Sequence, residues 1–598
     1  MKKTNSFFWT VNCKTGWAKM AFLLFFSALK IAQVTAQSWP ISIDSRFDDW
    51  TEALASYTDN SGDPGSVDLL NFQVTNDDQH LFIRLEVDDE IELTDANSLS
   101  LYLDTDNNAT TGTQVNGIGA ELQLKLGDRS ALFKNGNATV TLSLYEVGFF
   151  SQPSVSAKVF EMAIARDAKP IGNNPLFPGN TVKVYFQNGS SGDRMPNTGE
   201  SFTYQFDETP TEPYEPVALE KKEASQLRLL TWNTLADGLT DDFRKPYFER
   251  VVAAIQPDIV TFNECWDMLP GQAATFMNVA SPIGNFQSWK AVKLDEGNIT
   301  VSRYPILQSW LIFPGHRLTA SLIDLPDNLY QTDILVINGH LRCCDADNLR
   351  QQEADVFIKF ILDAKTPGGV IDLPANTPFV LSGDLNLVGY GQQLRTLLTG
   401  QVVNTAQFGP GGAPDWDGTD LQDVIALHTD DRMAYTWYND YSEFPPSRID
   451  YHICSNSAMG IEKTYTLATN KMPAQRLAFY GLQANDTGIA SDHLPKVTDF
   501  SLPLATSVAD LGSNAADFTV FPNPASDYFY VNYKMANAGD VAFSLSNSSG
   551  KIVQEWPSRI ADSSPSVRVD LKGLPAGVYF LKMTSKEGVS VRKVVKNG

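Results

Sequence analysis

Short runs of alternating apolar and polar residues fill the first third of the chain. Residues 81–87 and 98–103 both repeat with a period of two, which predicts half-buried β-strands. Turns rich in Asn, Gly and Asp separate such runs. We therefore predict a β-sandwich over residues 37–206, followed by a linker rich in proline and charge over 207–225.

The pattern changes after the linker. Continuous apolar runs predict buried strands, at 227–232, 258–262, 333–338, 379–382 and 448–453. Between them, residues 243–255 and 346–362 carry apolar side chains at helical spacing. Alternation of strands and helices indicates an α/β domain, which we place at 226–502.

Short alternating strands return near the carboxyl terminus. They predict a small second β-sandwich over residues 517–598, after a linker at 503–516. The motifs Phe521-Pro522-Asn523-Pro524 and Leu574-Pro575-Ala576-Gly577 closely resemble the C-terminal sorting domain of type IX secretion. That resemblance implies an export address read by the type IX machinery. A further glycan-binding sandwich is the alternative for this block.

The amino terminus has the form of a secretory signal. Lysines precede the apolar run 21–29, and the small residues 34–36 form a cleavage site, so residues 1–36 are predicted to be removed. The apolar run is too short to span a bilayer, and no later segment is long enough to do so. The protein is therefore predicted to be secreted or attached to the cell surface.

Composition limits the classes of function. The 598 residues are 43% hydrophobic and 19% charged, which is typical of a globular protein with several domains. A formal charge of −24 argues against tight electrostatic binding to nucleic acid or acidic membranes. A phosphate-bearing substrate remains open, because a metal ion can supply local positive charge.

Four cysteines follow the signal segment: Cys265, Cys343, Cys344 and Cys454. In an oxidising compartment they permit disulfides, and buried free thiols are the alternative. The adjacent pair Cys343-Cys344 lacks the spacing of zinc ligands, so a zinc site is not expected.

The first sandwich contains one candidate metal loop. Asp104, Asp106 and Asn108 could ligate a structural Ca²⁺, and a turn closed by these same side chains is the alternative. The stretches 43–50 and 103–112 resemble sandwiches related to family 9 carbohydrate-binding modules. That resemblance implies a glycan ligand for this domain.

Polar residues follow successive strands of the central domain. They are Asn233, Glu264, His340, Asp384 with Asn386, Asp450, and Asp492 with His493. Each one singly could be a turn cap, an ion-pair partner or a buried structural residue. Their recurrence at strand ends, where α/β folds build their sites, favours one shared active site.

The same residues carry a family resemblance. Trp232-Asn233, Asn263-Glu264, Gly339-His340-Leu341, Gly383-Asp384-Leu385-Asn386, Arg448-Ile449-Asp450-Tyr451 and Ser491-Asp492-His493-Leu494-Pro495 resemble the motifs of the endonuclease/exonuclease/phosphatase superfamily. The resemblance runs from about residue 227 to 499. It implies a four-layer sandwich, in which two packed β-sheets are flanked by helices.

The requirements of phosphoester hydrolysis suggest a role for each of these residues. Glu264, Asp492 and Asn233 are expected to hold Mg²⁺ or Mn²⁺. His493, oriented by Asp450, is the expected general base, and Asp384 is the rival base. Asn386 would orient the nucleophile or the phosphate, and a cationic His340 would donate to a phosphate oxygen.

Three functions are compatible with these features. A secreted metal-dependent nuclease is the first, and a sphingomyelinase-like or other small-substrate phosphodiesterase or phosphatase is the second. A histidine at position 340, together with export, argues against DNA repair. A catalytically silent surface adhesin is the third, although every expected catalytic position is filled.

Overall fold

A computed structural model gives the fold of the chain. It describes residues 39–63, 66–190, 192–284, 287–505, 517–534, 540–547, 551–560, 566–585 and 588–597. The predicted signal segment and most of the predicted linker at 503–516 lie outside these residues. Within them, no helix is long and apolar enough to cross a membrane.

The amino-terminal domain consists of two larger β-sheets and a two-stranded sheet formed by its fifth and sixth strands. Their strands are β1 (Ala55–Thr58), β2 (Leu69–Asn76), β3 (His80–Ile91), β4 (Leu99–Asp104), β5 (Thr113–Val115), β6 (Ile118–Ala120), β7 (Leu122–Lys125), β8 (Ser130–Asn135), β9 (Ala138–Ser143), β10 (Phe150–Gln152), β11 (Ala157–Ala165), β12 (Thr181–Asn188), β13 (Arg194–Met195) and β14 (Phe202–Gln205). One sheet has the order β1-β2-β3-β11-β10, and the other has β13-β12-β4-β7-β8-β9 with β14 beside β12. A single apolar cluster takes side chains from both sheets, as the alternating pattern predicts.

The central domain contains twelve strands in two six-stranded sheets. The strands are β15 (Leu227–Asn233), β16 (Ile259–Asn263), β17 (Lys290–Val292), β18 (Ile299–Ser302), β19 (Ile306–Leu311), β20 (Arg317–Ile323), β21 (Ile334–His340), β22 (Phe379–Asp384), β23 (Gln422–Asp423), β24 (Asp450–Cys454), β25 (Gly460–Thr466) and β26 (Lys496–Ser501). The first sheet has the order β17-β18-β16-β15-β26-β25, and the second has β19-β20-β21-β22-β24-β23.

Seven helices accompany these strands. They are α1 (Lys245–Ile255), α2 (Pro270–Ala280), α3 (Asp347–Ala364), α4 (Gly391–Thr399), α5 (Thr405–Phe408), α6 (Ala474–Tyr480) and α7 (Asp486–Ala490). Helices α1 and α3 match the stretches of helical periodicity in the sequence. Helix α1 buries the residues of its apolar face, Phe248, Val251, Val252 and Ile255.

Three apolar clusters hold the central domain together. Leu227, Leu229, Val336 and Val380 belong to a cluster that joins strands of both sheets. A second cluster combines the first sheet with α1, α2 and α6, and a third combines the second sheet with α3 and α4. Each sheet is therefore buried on two sides, which explains why its strands are continuously apolar.

The amino-terminal sandwich packs directly on the central domain. Ile43, Phe82 and Phe150 share an apolar cluster with Tyr435 and Leu494. The connecting segment also lies along the central domain, where Leu219 is buried and the Val217 N–H donates to the Thr429 carbonyl. The sandwich and the predicted linker thus both pack against the central domain.

The carboxyl-terminal block is a small β domain. Its strands are β27 (Asp517–Phe521), β28 (Tyr528–Lys534), β29 (Asp540–Asn547), β30 (Ile552–Ile560), β31 (Ser566–Asp570), β32 (Gly577–Ser585) and β33 (Gly588–Lys596). They form sheets of three and four strands that share an apolar cluster, including Phe529, Leu545 and Leu581.

Candidate active site

Strand register brings the predicted site residues to one edge. β15 and β16 are parallel, so Asn233 lies opposite Asn263, the residue before Glu264. In the second sheet His340 lies opposite Asp384, and Asp384 lies opposite Asp450 on the antiparallel strand β24. The ends of five strands that are distant in sequence therefore meet at one place.

His493 lies between two carboxylates. Its Nδ1 is 2.9 Å from Asp450 Oδ2, and its Nε2 is 3.7 Å from Asp384 Oδ2. The backbone of His493 is also fixed, because Trp232 Nε1 donates to the His493 carbonyl and Ser491 Oγ accepts from the His493 N–H. This is the histidine–carboxylate arrangement that the sequence predicts.

Charge is strongly coupled within this group. Burial alone would lower the pKa of His493, but the carboxylates of Asp450 and Asp384 raise it to about 10. Burial and the Asp450 carboxylate raise the pKa of Asp384 to about 7, although His493 opposes this shift. The protein groups alone therefore keep a proton on this cluster near neutral pH.

Asn233 connects the two sheets at the site. Its Nδ2 donates to Glu264 Oε1 at 3.1 Å and to Asp384 Oδ2 at 3.0 Å. The second oxygen of Glu264 accepts from the Ala236 N–H at 3.0 Å. Glu264 itself has a φ of 56°, in the left-handed region that non-glycine residues seldom adopt. Such backbone strain is typical of functional sites.

Asp492 completes the acidic set. Its Oδ2 accepts from the indole Nε1 of Trp437 at 3.1 Å, whereas its buried Oδ1 has no hydrogen-bond partner. A buried carboxylate oxygen of this kind is suited to a cation. Glu264 and Asp492 offer hard oxygen donors of the kind that Mg²⁺ and Mn²⁺ prefer, whereas Asn233 Oδ1 already accepts from the Leu235 N–H. The ligand atoms of this site that converge within 4.8 Å of one another belong to Asp384, Asp450 and His493.

Asn386 supports the loop after β22. Its Nδ2 donates to the Leu341 carbonyl at 3.1 Å, and its backbone N–H donates to Asp384 Oδ1 at 3.0 Å. Asn386 also has a positive φ, of 48°. The side chain thus joins the ends of β21 and β22, while its Oδ1 is left for a ligand of the site.

His340 differs from its expected role as a cation. Burial and the nearby positive charges of Arg317, His493 and Arg342 hold the pKa of His340 well below its usual range. Its Nε2 lies 3.6 Å from Asp384 Oδ2, and its buried Nδ1 has no partner. The imidazole is therefore neutral in these surroundings. The cationic role expected for His340 stays a prediction, and the burial of this residue, which the sequence did not reveal, does not favour it.

Three residues of the site were not predicted. Trp437 contacts Asp492 as described, and the ring of Trp266 lies 5.8 Å from the His340 ring. The Arg317 guanidinium lies over the Trp266 ring at 5.4 Å and donates to the His340 carbonyl. Trp266 follows Glu264 by two positions, and an aromatic residue beside a predicted ligand was the only sequence signal available.

The other predicted groups lie outside the active site. Asp104 and Asp106 come together in the sandwich, while Asn108 Oδ1 accepts from Thr110. All four cysteines are free, and only Cys343 and Cys344 are exposed. The alternative of buried free thiols is therefore confirmed for Cys265 and Cys454, whereas Cys343 and Cys344 are free but exposed.

The fold and the site together define a class of hydrolase. Two mixed sheets carry an Asn–Glu–His–Asp–Asn–Asp–Asp–His set at their shared edge, in the order of the sequence motifs. The model of the Endonuclease/Exonuclease/phosphatase family matches residues 230–493, and that of the Secretion system C-terminal sorting domain matches residues 519–597. The central domain therefore belongs to the endonuclease/exonuclease/phosphatase family, and the chain ends in a sorting domain of type IX secretion. This tail indicates export to the cell surface or beyond.

Solved structures resemble the central part of the chain. An endonuclease/exonuclease/phosphatase from Beutenbergia cavernae is 18% identical, over 62% of this chain and 99% of its own, with a TM-score of 0.27. Beta toxin from Staphylococcus aureus is 16% identical, over 46% and 99%, with a TM-score of 0.29. Sphingomyelinase C from Streptomyces griseocarneus is 15% identical, over 46% and 99%, with a TM-score of 0.26. A search of curated proteins found no match.

Proposed function

We propose that this protein is a secreted, divalent-metal-dependent phosphodiesterase and that its substrate is nucleic acid. The observation that carries the proposal is the meeting of His493 with Asp450 and Asp384, joined through Asn233 to Glu264. A positioned histidine, a proton-accepting carboxylate and a hard acidic ligand set are what metal-assisted phosphoester hydrolysis requires.

Each residue then has a chemical task. Glu264, Asp492 and Asn233 would hold Mg²⁺ or Mn²⁺, and such an ion, when bound, neutralises charge on phosphate oxygens. In the form of the cluster that has lost its shared proton, His493 or Asp384 takes the proton of the attacking water, and Asp450 fixes the orientation of the His493 ring. Neutral His340 donates a hydrogen bond from Nε2 to a phosphate oxygen of the substrate, and Asn386 orients the substrate through Oδ1.

The wall beside His340 supports a nucleic-acid substrate. Trp266 is half-buried, so part of its ring is accessible, and Arg317 adds positive charge in an otherwise acidic protein. Stacking of a base on an aromatic ring, with a cation near the backbone, is a common way to hold single strands. Loose binding of this kind is compatible with turnover in salt.

A panel of substrates tests the proposal. The secreted protein is incubated with plasmid DNA, RNA, sphingomyelin and bis-nitrophenyl phosphate, with Mg²⁺, Mn²⁺ or a chelator. We expect metal-dependent cleavage of DNA or RNA that the chelator abolishes and added metal restores. Chelator-resistant cleavage contradicts the metal ligands, and cleavage of sphingomyelin alone contradicts the nucleic-acid substrate. Absence of turnover on every substrate favours the adhesin.

A further inference from the structure

Three carboxylates converge in the amino-terminal sandwich, apart from the active site. Asp104 ends β4, Asp106 lies in the following turn, and Glu121 connects β6 to β7. One oxygen of each lies within 4.8 Å of the others. The sequence pattern indicated only the first two, because Glu121 joins them through the pairing of β4 with β7.

Burial makes this cluster costly without a ligand. Asp104 is fully buried and Glu121 is only 6% exposed. One oxygen of Glu121 accepts from the Thr105 N–H at 2.9 Å, but Oε1 has no hydrogen-bond partner. A buried carboxylate oxygen without a partner destabilises the folded protein more than a buried neutral polar group without a partner does. This orphaned oxygen belongs to the same group of converging ligand atoms.

The protein supplies only part of the opposing charge. Lys183 Nζ lies 3.8 Å from Asp104 Oδ2, which neutralises one of the three carboxylates and leaves two. One divalent cation would balance the two remaining charges.

The loop has the construction of a cation-binding turn. The Asn108 N–H donates to both Asp104 Oδ1 and Asp106 Oδ1, which aligns the two carboxylates. Gly119 lies against the Asn108 and Thr111 carbonyls, and a Cβ there would come within 2.4 Å and 2.5 Å of their oxygens. Asn108 therefore organises the turn by its backbone, and its side chain bonds Thr110 instead of joining the carboxylates.

We propose that Asp104, Asp106 and Glu121 form a structural Ca²⁺ site in the sandwich. Carboxylate oxygens are hard ligands, which Ca²⁺ accepts in variable number and geometry. Sites of this kind in extracellular modules bind with dissociation constants of about 10⁻⁴–10⁻³ M. The proposal does not depend on the proposed hydrolysis.

Calcium titration of the full-length protein tests it. Saturating Mg²⁺ is present throughout to occupy the ligands of the central domain, and binding is followed by isothermal titration calorimetry. We expect one Ca²⁺ per chain for the natural protein and for the control Glu52→Gln, an exposed glutamate of the same domain. Glu121→Gln should bind at least about tenfold more weakly. Its metal-dependent phosphodiester cleavage should equal that of the control.

A second variant guards against misfolding. Asp106→Asn changes an exposed side chain, so the sandwich should retain its circular dichroism spectrum while calcium binding weakens similarly. A rise in melting temperature with Ca²⁺, present in the natural protein and lost in both variants, completes the expected result. Absence of calcium binding at about 10⁻³ M, or unchanged binding in Glu121→Gln and Asp106→Asn, overturns the proposal.

Discussion

At the scale of single residues, the site depends on how buried charges are arranged. His493 is held between Asp450 and Asp384, and the two carboxylates together outweigh the burial that would otherwise keep the ring neutral. His340 lies only one strand away, yet the arginines near it and its burial give the opposite result. Two histidines of one site therefore carry different charges because of their neighbours.

Replacing His493 tests its role directly. In His493→Ala the turnover number should fall by about 10²–10⁴-fold, which is the usual contribution of a positioned acid–base group. The matched control His80→Ala changes a histidine of the amino-terminal sandwich and should retain activity. Both variants should keep their secondary structure by circular dichroism. Near-normal turnover in His493→Ala would assign the role of general base to Asp384.

Trp437 donates a hydrogen bond to Asp492, a proposed metal ligand. Trp437→Phe removes the indole N–H that donates to Asp492 Oδ2 and keeps an aromatic ring. We expect the half-saturating Mg²⁺ concentration to rise by about tenfold, because groups that orient a metal ligand tune its affinity, with turnover at saturating Mg²⁺ nearly unchanged.

The control for this variant is Trp416→Phe. It removes an equivalent indole donor, to the Thr377 carbonyl, in another part of the domain. Its Mg²⁺ requirement should equal that of the natural protein. The same requirement in Trp437→Phe would show that Asp492 does not depend on the indole for its orientation.

At the scale of secondary-structure elements, β11 carries a buried acid that anchors the start of the sandwich. Glu161 accepts from the N–H groups of Asp44 and Ser45 through one oxygen and from the Trp50 indole through the other. Even so, burial raises the pKa of Glu161 to about 9. The strand thus holds a protonated carboxyl group at neutral pH.

This carboxyl group gives the sandwich a pH-dependent stability. Above its unfolded-state pKa of 4.5, the unfolded chain releases the proton and the folded chain keeps it, so stability falls as pH rises toward about 9. The slope contributed by one such group is up to about 1.4 kcal/mol per pH unit. Urea unfolding, followed by tryptophan fluorescence between pH about 6 and about 8, measures it.

Glu161→Gln is the comparison for this slope. Glutamine has a similar shape but does not titrate, so its unfolding free energy should change less over the same pH interval. A loss of stability that is the same at both pH values cancels when the free energies of unfolding at those pH values are subtracted. Parallel curves for the two proteins would assign the pH dependence to other groups.

At the scale of the whole molecule, the sandwich contacts segments of the central domain that lie beside the candidate active site. Ser154 Oγ, between β10 and β11, lies 2.9 Å from the Leu387 carbonyl and 3.2 Å from the Arg448 carbonyl. Leu387 follows Asn386 in the loop after β22, and Arg448 lies two residues before Asp450, the first residue of β24. The Ser156 N–H also donates to the Gly389 carbonyl at 2.8 Å. The sandwich therefore supports two segments that position residues of the candidate site.

Ser154→Ala tests this contact. Loss of one shared hydrogen bond, about 1 kcal/mol, should lower turnover by about fivefold, with the Michaelis constant little changed. Ser154→Thr restores the hydroxyl and should recover activity, while Ser143→Ala, elsewhere on the sandwich, should have no effect. Unchanged turnover in Ser154→Ala would show that the hydrogen bonds of Ser154 do not affect turnover. The glycan ligand of this domain remains a prediction.

The sequence by itself predicted an order of domains, five strands and two helices of the central domain and the polar residues at its strand ends. These features are local: hydrophobic period fixes the element type, and a motif such as Gly383-Asp384-Leu385-Asn386 lies within one strand and its loop. Family resemblance then joined motifs that are far apart in the chain.

Only the tertiary structure decided the charges and the partners. The neutral state of His340, the indole of Trp437 on Asp492, and Glu121 beside Asp104 all depend on contacts between distant segments. So does the packing of the sandwich on the catalytic loops. Burial and electrostatic environment are set by what folds against a residue, and no periodicity along the chain records that.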